Sequence, residues 1–365
     1  MPGKARKIGI LTGGGDCPGL NAVIRAIVKT AVNDYKMQVF GFEDGFKGLV
    51  ENQYRELTPD IVAGILPKGG TILGTTNRDN PFEYPLEQNG KTEKLDMSGK
   101  VLENLKTLEI DALIVIGGDG SLSIAYELQK RRGINVVGVP KTIDNDLSAT
   151  EVTFGFNTAV VTATEALDKL HTTAESHHRV MILEVMGRYA GWIALESGLA
   201  GGADVILIPE IPFNIEKICD KVRERYEAGK KFSIVVVSEG AFPEGGEMVV
   251  KKTVANSHDP VRLGGIGNAI GDAIERITGM ETRVTVLGHL QRGGMPSAFD
   301  RILATRYGVA AARCVFRGQY GTMVSLRTPD IVTVPLMDAV GEIKKVSVNS
   351  DLISTAKAVG VSFGV

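Results

Sequence analysis

Short, continuous apolar stretches recur along the chain, and most of them end at or near a glycine or a proline. They are too short for helices and resemble strands that are buried on both faces. Segments with helical spacing of apolar residues follow them, and this alternation predicts a mostly parallel sheet of the α/β class. The predicted strands are Lys7–Leu11, Gln38–Phe42, Ala112–Ile116, Asn135–Val139, Arg179–Val185 and Ser233–Ser238.

A glycine-rich turn follows the first predicted strand. Gly13, Gly14 and Gly15 lead through Pro18 into Leu20–Val32, whose apolar spacing predicts a helix. Such a turn before a helix N-terminus is an anion site by geometry. The turn is not a Walker loop, because no Lys-Ser/Thr pair follows it, and Pro18 replaces the third glycine of the dinucleotide fingerprint. A tight turn without a ligand is the alternative.

Composition narrows the class of protein. At 365 residues, two domains or one large lobed unit are expected. The formal net charge of −2 provides no basic field for nucleic acid or an anionic membrane. Three widely spaced cysteines, no secretory signal and no apolar run of about 18 residues predict a soluble, cytoplasmic protein. The polar segment Glu83–Lys100 lacks periodicity and is expected to be a surface insertion.

A second glycine-rich turn follows the predicted strand Ala112–Ile116. Gly118 lies at its centre and opens space for a ligand, and Asp119 can hold Mg²⁺ directly or through water. Ser121 can cap the next helix while facing a phosphate. A strand-loop-helix corner with a capping acid is the alternative.

Two carboxylates follow the predicted strand Asn135–Val139. Asp144 and Asp146 alternate by two in the segment Pro140–Asp146, so an extended backbone places both on one side. In an open α/β sheet, ligands bind beyond the carboxyl ends of the strands. One carboxylate can accept a proton from an attacking hydroxyl while the other helps to place a metal. Solvated loop acids are the alternative.

Cationic side chains in glycine-containing or polar segments complete the candidate chemistry. Arginine binds phosphate oxygens through two parallel hydrogen bonds, although any single one of these residues is more often a surface charge. The candidates are Arg78, Arg179, Arg188, Arg283, His289 and Arg292.

Taken in order, these segments resemble the signature elements of the 6-phosphofructokinase family. The resemblance covers nearly the whole chain and implies two Rossmann-like α/β lobes with the active site in the cleft between them. It implies a donor-binding lobe of residues 1–155 plus about 291–341, and a sugar-phosphate lobe of residues 156–290 plus about 342–365. The matching elements are Gly13–Asn21, Gly117–Ser121, Pro140–Asp146, Glu184–Arg188 and Gly288–Gly294.

The family resemblance implies phosphoryl transfer from ATP, or from pyrophosphate, to the 1-hydroxyl of fructose 6-phosphate. Asp144 is then similar to the general base, Thr142 and Asp146 to its partners at the transferred phosphate, and Asp119 to the Mg²⁺ anchor. Arg78 is similar to an arginine that stabilises the transferring group, although the family often has it one residue earlier. The residues implied in donor binding are Gly13, Gly14, Gly15, Arg78, Gly118, Gly120, Ser121 and Lys141.

The resemblance also implies a sugar-phosphate site that is shared between subunits. Arg179 and Arg283 are similar to a pair that a neighbouring subunit supplies, which implies a homo-oligomer, typically a tetramer. The residues implied in substrate binding are Thr142, Asp144, Arg179, Met186, Gly187, Arg188, Glu239, Arg283, His289 and Arg292.

Donor choice rests on two positions. Pyrophosphate enzymes of the family usually carry Asp at the position of Gly120 and Lys at that of Lys141, whereas the best-known ATP enzymes carry Gly at both. Because Gly120 leaves space for the α-phosphate of ATP, ATP is favoured and a reversible pyrophosphate enzyme is the alternative. A silent regulatory subunit, the more distant alternative, would be expected to lack Asp144 or Asp119, and both are present.

Overall fold

The computed structural model describes residues 5–88, 91–253 and 261–365, which form alternating strands and helices. The strands are β1 (Lys7–Thr12), β2 (Gln38–Phe42), β3 (Tyr54–Glu56), β4 (Tyr84–Gln88), β5 (Lys91–Leu95), β6 (Ala112–Gly117), β7 (Val136–Thr142), β8 (Phe154–Gly155), β9 (Val180–Val185), β10 (Val205–Leu207), β11 (Ser233–Ser238), β12 (Val250–Thr253), β13 (Val261–Leu263), β14 (Thr282–Val286), β15 (Thr322–Arg327) and β16 (Asp330–Pro335).

The helices lie mainly between consecutive strands. Within the described ranges, every helix is too short or too polar to cross a bilayer. The α-helices are α1 (Leu20–Tyr35), α2 (Phe46–Glu51), α3 (Ser98–Thr107), α4 (Asp119–Arg132), α5 (Phe156–His177), α6 (Trp192–Ala200), α7 (Ile215–Glu227), α8 (Ile266–Thr278), α9 (Ala298–Phe316), α10 (Leu336–Ala339) and α11 (Asp351–Ala358), and the 3-10 helices are Pro81–Glu83 and Gly288–Arg292.

The larger sheet has the strand order β16-β15-β7-β6-β1-β2-β3, and β8 pairs with β7. Its strands run parallel except at the two edges, where β16 and β3 are antiparallel to their neighbours. Thr12 of β1 lies beside Ile116 of β6, and Gly117 lies beside Pro140 of β7. The segments that follow β1, β6 and β7 therefore leave the sheet side by side.

The smaller sheet is parallel throughout, with the order β10-β11-β9-β14. A continuous cluster of buried apolar residues connects the two sheets, since it includes Ile114 of the larger sheet, Ala163 and Leu167 of α5, and Leu183 of the smaller sheet. Helix α5 thus packs between the sheets and joins them through one core.

Helix α1 shows how the sequence sets an element that positions the site. Its apolar residues recur with helical spacing and are buried, as Val23, Ile27 and Ala31 are. It begins after Gly19, whose φ of +110° favours glycine and whose added Cβ would lie 2.8 Å from the ring of Phe154. Any larger residue at this position would move the turn.

The predicted α/β class is confirmed, and β2 and β11 have the predicted bounds. The expectation for Glu83–Lys100 is wrong in part, because β4 and β5 form an antiparallel hairpin there. Tyr84 is buried and Leu86 packs on the same core, a two-residue alternation hidden among polar residues. The domain boundaries stay a prediction.

Candidate active site

Two glycine-rich turns meet where β1 and β6 end. The backbone N–H of Gly13 donates to the carbonyl of Ile116 at 2.9 Å. A Cβ on Gly13 would lie 2.5 Å from Ser121 Oγ, and one on Gly117 would lie 2.3 Å from Ser121 Cβ. Because no side chain fits between the turns, their backbones approach each other closely, and Ser121 is held at their junction.

The first glycine turn is fixed on its other side by Thr75 and Thr76. The hydroxyl of Thr75 donates to the carbonyl of Gly14 at 2.6 Å, and the N–H of Gly14 donates to the carbonyl of Thr76 at 3.0 Å. Helix α1 begins at Leu20, which is the first residue of the helix predicted after this turn. The intervening Pro18 and Gly19 separate the turn from the helix.

Lys141 is a buried cation beneath the first turn. Its side chain is 4% exposed, and Nζ donates to the carbonyl of Gly15 at 2.5 Å. Burial lowers the pKa of the ammonium, while Cys17, Asp16 and Asp144 act in the opposite direction. Lys141 thus supports the backbone of the turn from within the fold.

Asp144 lies in a partly buried position just after β7. Its N–H donates to the hydroxyl of Thr142 at 3.0 Å, and its Oδ1 is buried with no hydrogen-bond partner among the described residues. Burial raises the pKa of the Asp144 carboxyl, and nearby Arg292, Arg188 and Lys141 counteract part of this effect. A buried oxygen without a partner, surrounded by cations, is suited to accept a proton from a substrate hydroxyl.

Asp146 lies within electrostatic range of both Asp144 and Asp119. Burial raises the pKa of Asp146 to about 7, with further increases from Asp144 and Asp119, against a lowering hydrogen bond from Thr142. The described residues contain no group of three or more His, Cys, Asp or Glu side chains able to hold a metal ion. A cation that is bound by one or two carboxylates and by donor phosphates, as Mg²⁺ often is, fits this arrangement.

The segment after β9 forms the other side of the site. Gly187 has a φ of +132°, and its carbonyl accepts hydrogen bonds from the Ser238 hydroxyl and, at 3.2 Å, from the N–H of Gly240. These contacts tie Met186, Gly187 and Arg188 to the turn that contains Glu239. Burial raises the pKa of Glu239 to about 7, and the neighbouring Asp144 raises it further.

The 3-10 helix Gly288–Arg292 brings a cation to the glycine turn. Arg292 Nη1 donates to the carbonyl of Asp16 at 3.2 Å, and a Cβ on Gly15 would lie 2.8 Å from the same nitrogen. His289 lies on the same 3-10 helix and is exposed. Arg292 therefore contacts the glycine turn, and its charge also lowers the pKa of the Asp144 carboxyl.

Arg179 and Arg283 do not join this cluster within the chain. Both pair with the exposed Glu281, Arg179 through Nε at 2.7 Å. Arg179 precedes β9 whereas Arg188 follows it, so the length of the strand separates them by roughly 20 Å at about 3.3 Å per residue. Arg179 is half-buried and Arg283 is exposed, and both lie at the opposite end of the smaller sheet.

Arg78 is exposed, next to a turn in which the hydroxyl of Thr76 donates to Asp79. Gly118 lies beside β7, since an added Cβ would be 3.2 Å from the carbonyl of Lys141, and Gly120 lies in the first turn of α4.

Two residues that contribute to the site were not predicted from the sequence. Thr75 fixes the glycine turn, and Lys344 contacts the loop that carries Asp144.

Cys17 lies in the glycine-rich segment yet faces the interior. Its Sγ is 3.7 Å from the carbonyl of Phe154, and a Cβ on Gly155 would lie 2.7 Å from the sulfur. Burial raises the pKa of the thiol to about 12. The sulfur therefore packs, and it is not a nucleophile at neutral pH.

Comparison with known proteins agrees with the arrangement of these motifs. The family model described as phosphofructokinase matches residues 7–315. ATP-dependent 6-phosphofructokinase 2 of Clostridium perfringens is 57% identical over 360 residues, which cover 98% of each chain. Pyrophosphate--fructose 6-phosphate 1-phosphotransferase of Streptomyces coelicolor is 52% identical and is matched over 98% of this chain and 100% of its own.

The fold of the chain is also similar to that of a solved phosphofructokinase. The crystal structure of Pichia pastoris phosphofructokinase in the T-state superposes with a TM-score of 0.78 at 34% identity, covering 93% of this chain and 36% of that chain. The strand-end motifs, the sheet arrangement and these similarities together lead to one conclusion. The chain belongs to the phosphofructokinase family.

Proposed function

We propose that this protein transfers the γ-phosphoryl group of ATP to the 1-hydroxyl of fructose 6-phosphate, giving fructose 1,6-bisphosphate and ADP in glycolysis. The observation that supports it most is the environment of Asp144. Its Oδ1 is buried and has no hydrogen-bond partner in the described part of the chain, and the charges of Arg292, Arg188 and Lys141 act on it. Like other glycolytic enzymes, the protein is expected to act in the cytoplasm.

In the proposed reaction, Asp144 removes the proton from the attacking hydroxyl, and the hydroxyl of Thr142 orients the Asp144 backbone. Phosphoryl transfer depends mainly on positioning and on charge stabilisation. The glycine turns, Gly118 and Ser121 line the donor phosphates, and Arg78 closes over the transferring group.

Asp119 is proposed to hold Mg²⁺, with Asp146 nearby. When bound, Mg²⁺ supplies positive charge to the donor phosphate oxygens. The raised pKa of Asp146 supports this assignment, because clustered carboxylates that repel one another are stabilised by a divalent cation.

The sugar phosphate is proposed to lie against the turn after β9 and the 3-10 helix Gly288–Arg292. Arg188, His289 and Arg292 supply hydrogen-bond donors, whereas Glu239 accepts from sugar hydroxyls. The contacts of Gly187 with Ser238 and Gly240 make the two turns a single support for the ligand.

ATP is favoured over pyrophosphate for two reasons. Gly120 lies in the first turn of α4 and adds neither bulk nor negative charge beside the donor. Lys141 is the residue that pyrophosphate enzymes of the family usually share. Here its Nζ donates to the carbonyl of Gly15, so its presence has a structural reason that does not depend on pyrophosphate. The relatives include enzymes named for either donor at 57% and 52% identity, so overall similarity does not separate the two.

Steady-state assays with fructose 6-phosphate and Mg²⁺ test the donor directly. ATP and pyrophosphate are compared in parallel, and the expected kcat/KM is at least about tenfold higher with ATP. A higher value with pyrophosphate would assign the alternative donor. No turnover with either donor, together with retained binding of fructose 6-phosphate, would identify a regulatory subunit instead.

We further propose a homotetramer in which Arg179 and Arg283 complete the site of a neighbouring subunit. Two observations support this: the length of β9 separates Arg179 from Arg188, and both arginines pair with the exposed Glu281, away from Asp144. Asp144→Asn and a double Arg179→Ala/Arg283→Ala variant are each expected to be nearly inactive.

Co-expression of the two variants tests the shared site. If each site takes Asp144 from one subunit and the arginines from another, about a quarter of the sites in mixed oligomers are intact. Activity should then rise well above the sum of the two variants. The same variants, assembled separately and assayed together at once, are the control. No gain on co-expression would place the arginines outside the active site.

A further inference from the structure

The loop that carries Asp144 has an unusual backbone. Asn145 and Ala149 are non-glycine residues with φ of 51° and 63°, in the left-handed region. A side chain disfavours this conformation, which persists where surrounding contacts hold it. Asn145 is moreover buried at 4% exposure. The geometry of Asp144 and Asp146 therefore depends on whatever holds this loop.

Lys344 supplies the largest set of those contacts. Its Nζ donates to Asn145 Oδ1 at 2.9 Å and to the carbonyls of Thr150 and Glu151 at 3.1 and 2.8 Å. Its backbone N–H donates to the carbonyl of Asp146 at 2.8 Å. An ammonium group has three donors, and all three have an acceptor here. One side chain thus fixes both halves of the loop.

Lys344 and Val346, together called the clasp below, also contact the smaller-sheet side of the site. Trp192 Nε1 donates to the carbonyl of Lys344 at 2.8 Å. The N–H of Val346 donates to Glu210 Oε1 at 2.8 Å, and Glu210 also accepts from the N–H of Gly191. Gly191 and Trp192 follow Arg188 closely in the chain. The clasp therefore links the loop of the proposed base to the segment that is proposed to bind the sugar phosphate.

We propose that Lys344 is a positioning residue for phosphoryl transfer, holding the strained loop after β7 in the conformation that directs Asp144 toward the acceptor hydroxyl. This inference rests on the proposed function. The three acceptors of Lys344 Nζ all lie in this loop, so Lys344 acts through Asn145 and through the loop backbone. Its removal should misplace the base and leave substrate binding comparatively intact.

The charge state of Lys344 supports its assignment as a positioning residue. Burial lowers the pKa of Lys344 to about 8, with Arg327 adding to the decrease, and Asp146, Glu196 and Glu151 oppose it. The ammonium form is the one that offers three donors, and it is the major form at neutral pH. The Trp192 ring, 5.7 Å from Nζ, also favours the cation.

Kinetics of Lys344→Met test the proposal. A small displacement of a catalytic group costs up to about 100-fold, so kcat should fall roughly 10- to 100-fold while each substrate KM stays within about threefold. Lys344→Arg, which keeps the charge and several donors, should recover part of the loss. Lys345→Met is the matched control, because Lys345 is the exposed neighbour, and its kcat should be unchanged.

Hydrogen exchange gives a readout that does not require the proposed activity. Amides in the peptide 144–153 should exchange about tenfold faster in Lys344→Met than in the wild type or in Lys345→Met. If Lys344→Met does not fold, Lys344→Gln, which retains amide donors, is measured in the same way. Unchanged exchange in this peptide, an unchanged kcat, or equal losses in the Lys345 control would overturn the proposal. A wild-type enzyme without the proposed activity but with faster exchange in the variant would overturn only the function.

Discussion

Lys141 Nζ lies 2.5 Å from the carbonyl oxygen of Gly15, so the end of β7 supports the turn that follows β1. The contact joins residues separated by 126 positions and places a buried positive charge below the proposed donor site. Cations near phosphates stabilise donor binding, and this cation also fixes the shape of the turn. A single substitution can therefore test the proposed role of Lys141 in donor binding.

Replacing Lys141 with methionine should weaken donor binding selectively. The carbonyl of Gly15 would lose its partner and the donor its nearby charge, so KM for ATP should rise at least about tenfold. KM for fructose 6-phosphate should change much less. Lys230→Met, at an exposed position, is the control. Equal increases in both KM values would show that Lys141 does not act on the donor side.

Asp144→Asn removes the proposed base and keeps its shape. General base catalysis contributes about 10²- to 10⁴-fold, and kcat should fall within that range. Fructose 6-phosphate should still bind, because the arginines and the turn after β9 are unchanged. Calorimetry measures the binding and stopped assays measure the turnover. Near-normal turnover would contradict the assignment of the base.

Gly120→Asp tests the steric argument for ATP. A carboxylate in the first turn of α4 would add bulk and negative charge next to the α-phosphate position. The ratio of kcat/KM for ATP to that for pyrophosphate should fall by about tenfold or more. Gly120→Ala adds bulk without charge and separates the two effects. An unchanged ratio in both variants would remove Gly120 from the specificity argument.

Ionisation of the Glu239 carboxyl should lower the free energy of unfolding as the pH rises. Burial raises its pKa from 4.5 to about 7, so the folded protein holds this proton more tightly than the unfolded chain. The stabilising contribution is therefore complete below about pH 4.5 and is lost as the pH rises through about 7. Glu239→Gln should raise Tm at pH 8 by about 2–4 °C, and the gain should shrink toward pH 5.

Scanning calorimetry at both pH values measures this effect. Glu247→Gln, at an exposed position in the same region, is the control and should leave Tm unchanged at either pH. A Glu239→Gln gain that is the same at pH 5 and pH 8 would show that packing, not charge, is responsible.

The sequence was most informative where function depends on local pattern. The apolar strands end in glycines and acids, and parallel pairing necessarily aligns those ends, as Thr12 beside Ile116 and Gly117 beside Pro140 show. The family motifs and the fold class were predictable for this reason. The hairpin of β4 and β5 was not, because its two-residue alternation is short and lies among charged residues.

The sequence carried no signal for contacts between segments that are far apart in the chain. Lys344 and Asn145 are separated by 199 positions, and nothing in the polar sequence around Lys344 marks it as a partner of the loop after β7. The burial of Lys141 was likewise not predicted, because a lysine beside the proposed catalytic acids is expected to face the ligand. Only the packing of the turns decides which way such a side chain points.

The orientation of Cys17 gives the protein a built-in reporter. The described cysteines are all buried, and the Cys17 sulfur packs against Phe154 and Gly155 behind the glycine turn. Because Cys17 is fully buried, an alkylating reagent can reach its sulfur only when this packing opens. The rate of Cys17 labelling therefore measures how often the structure opens behind the proposed donor site, and ligands that bind there should slow the labelling.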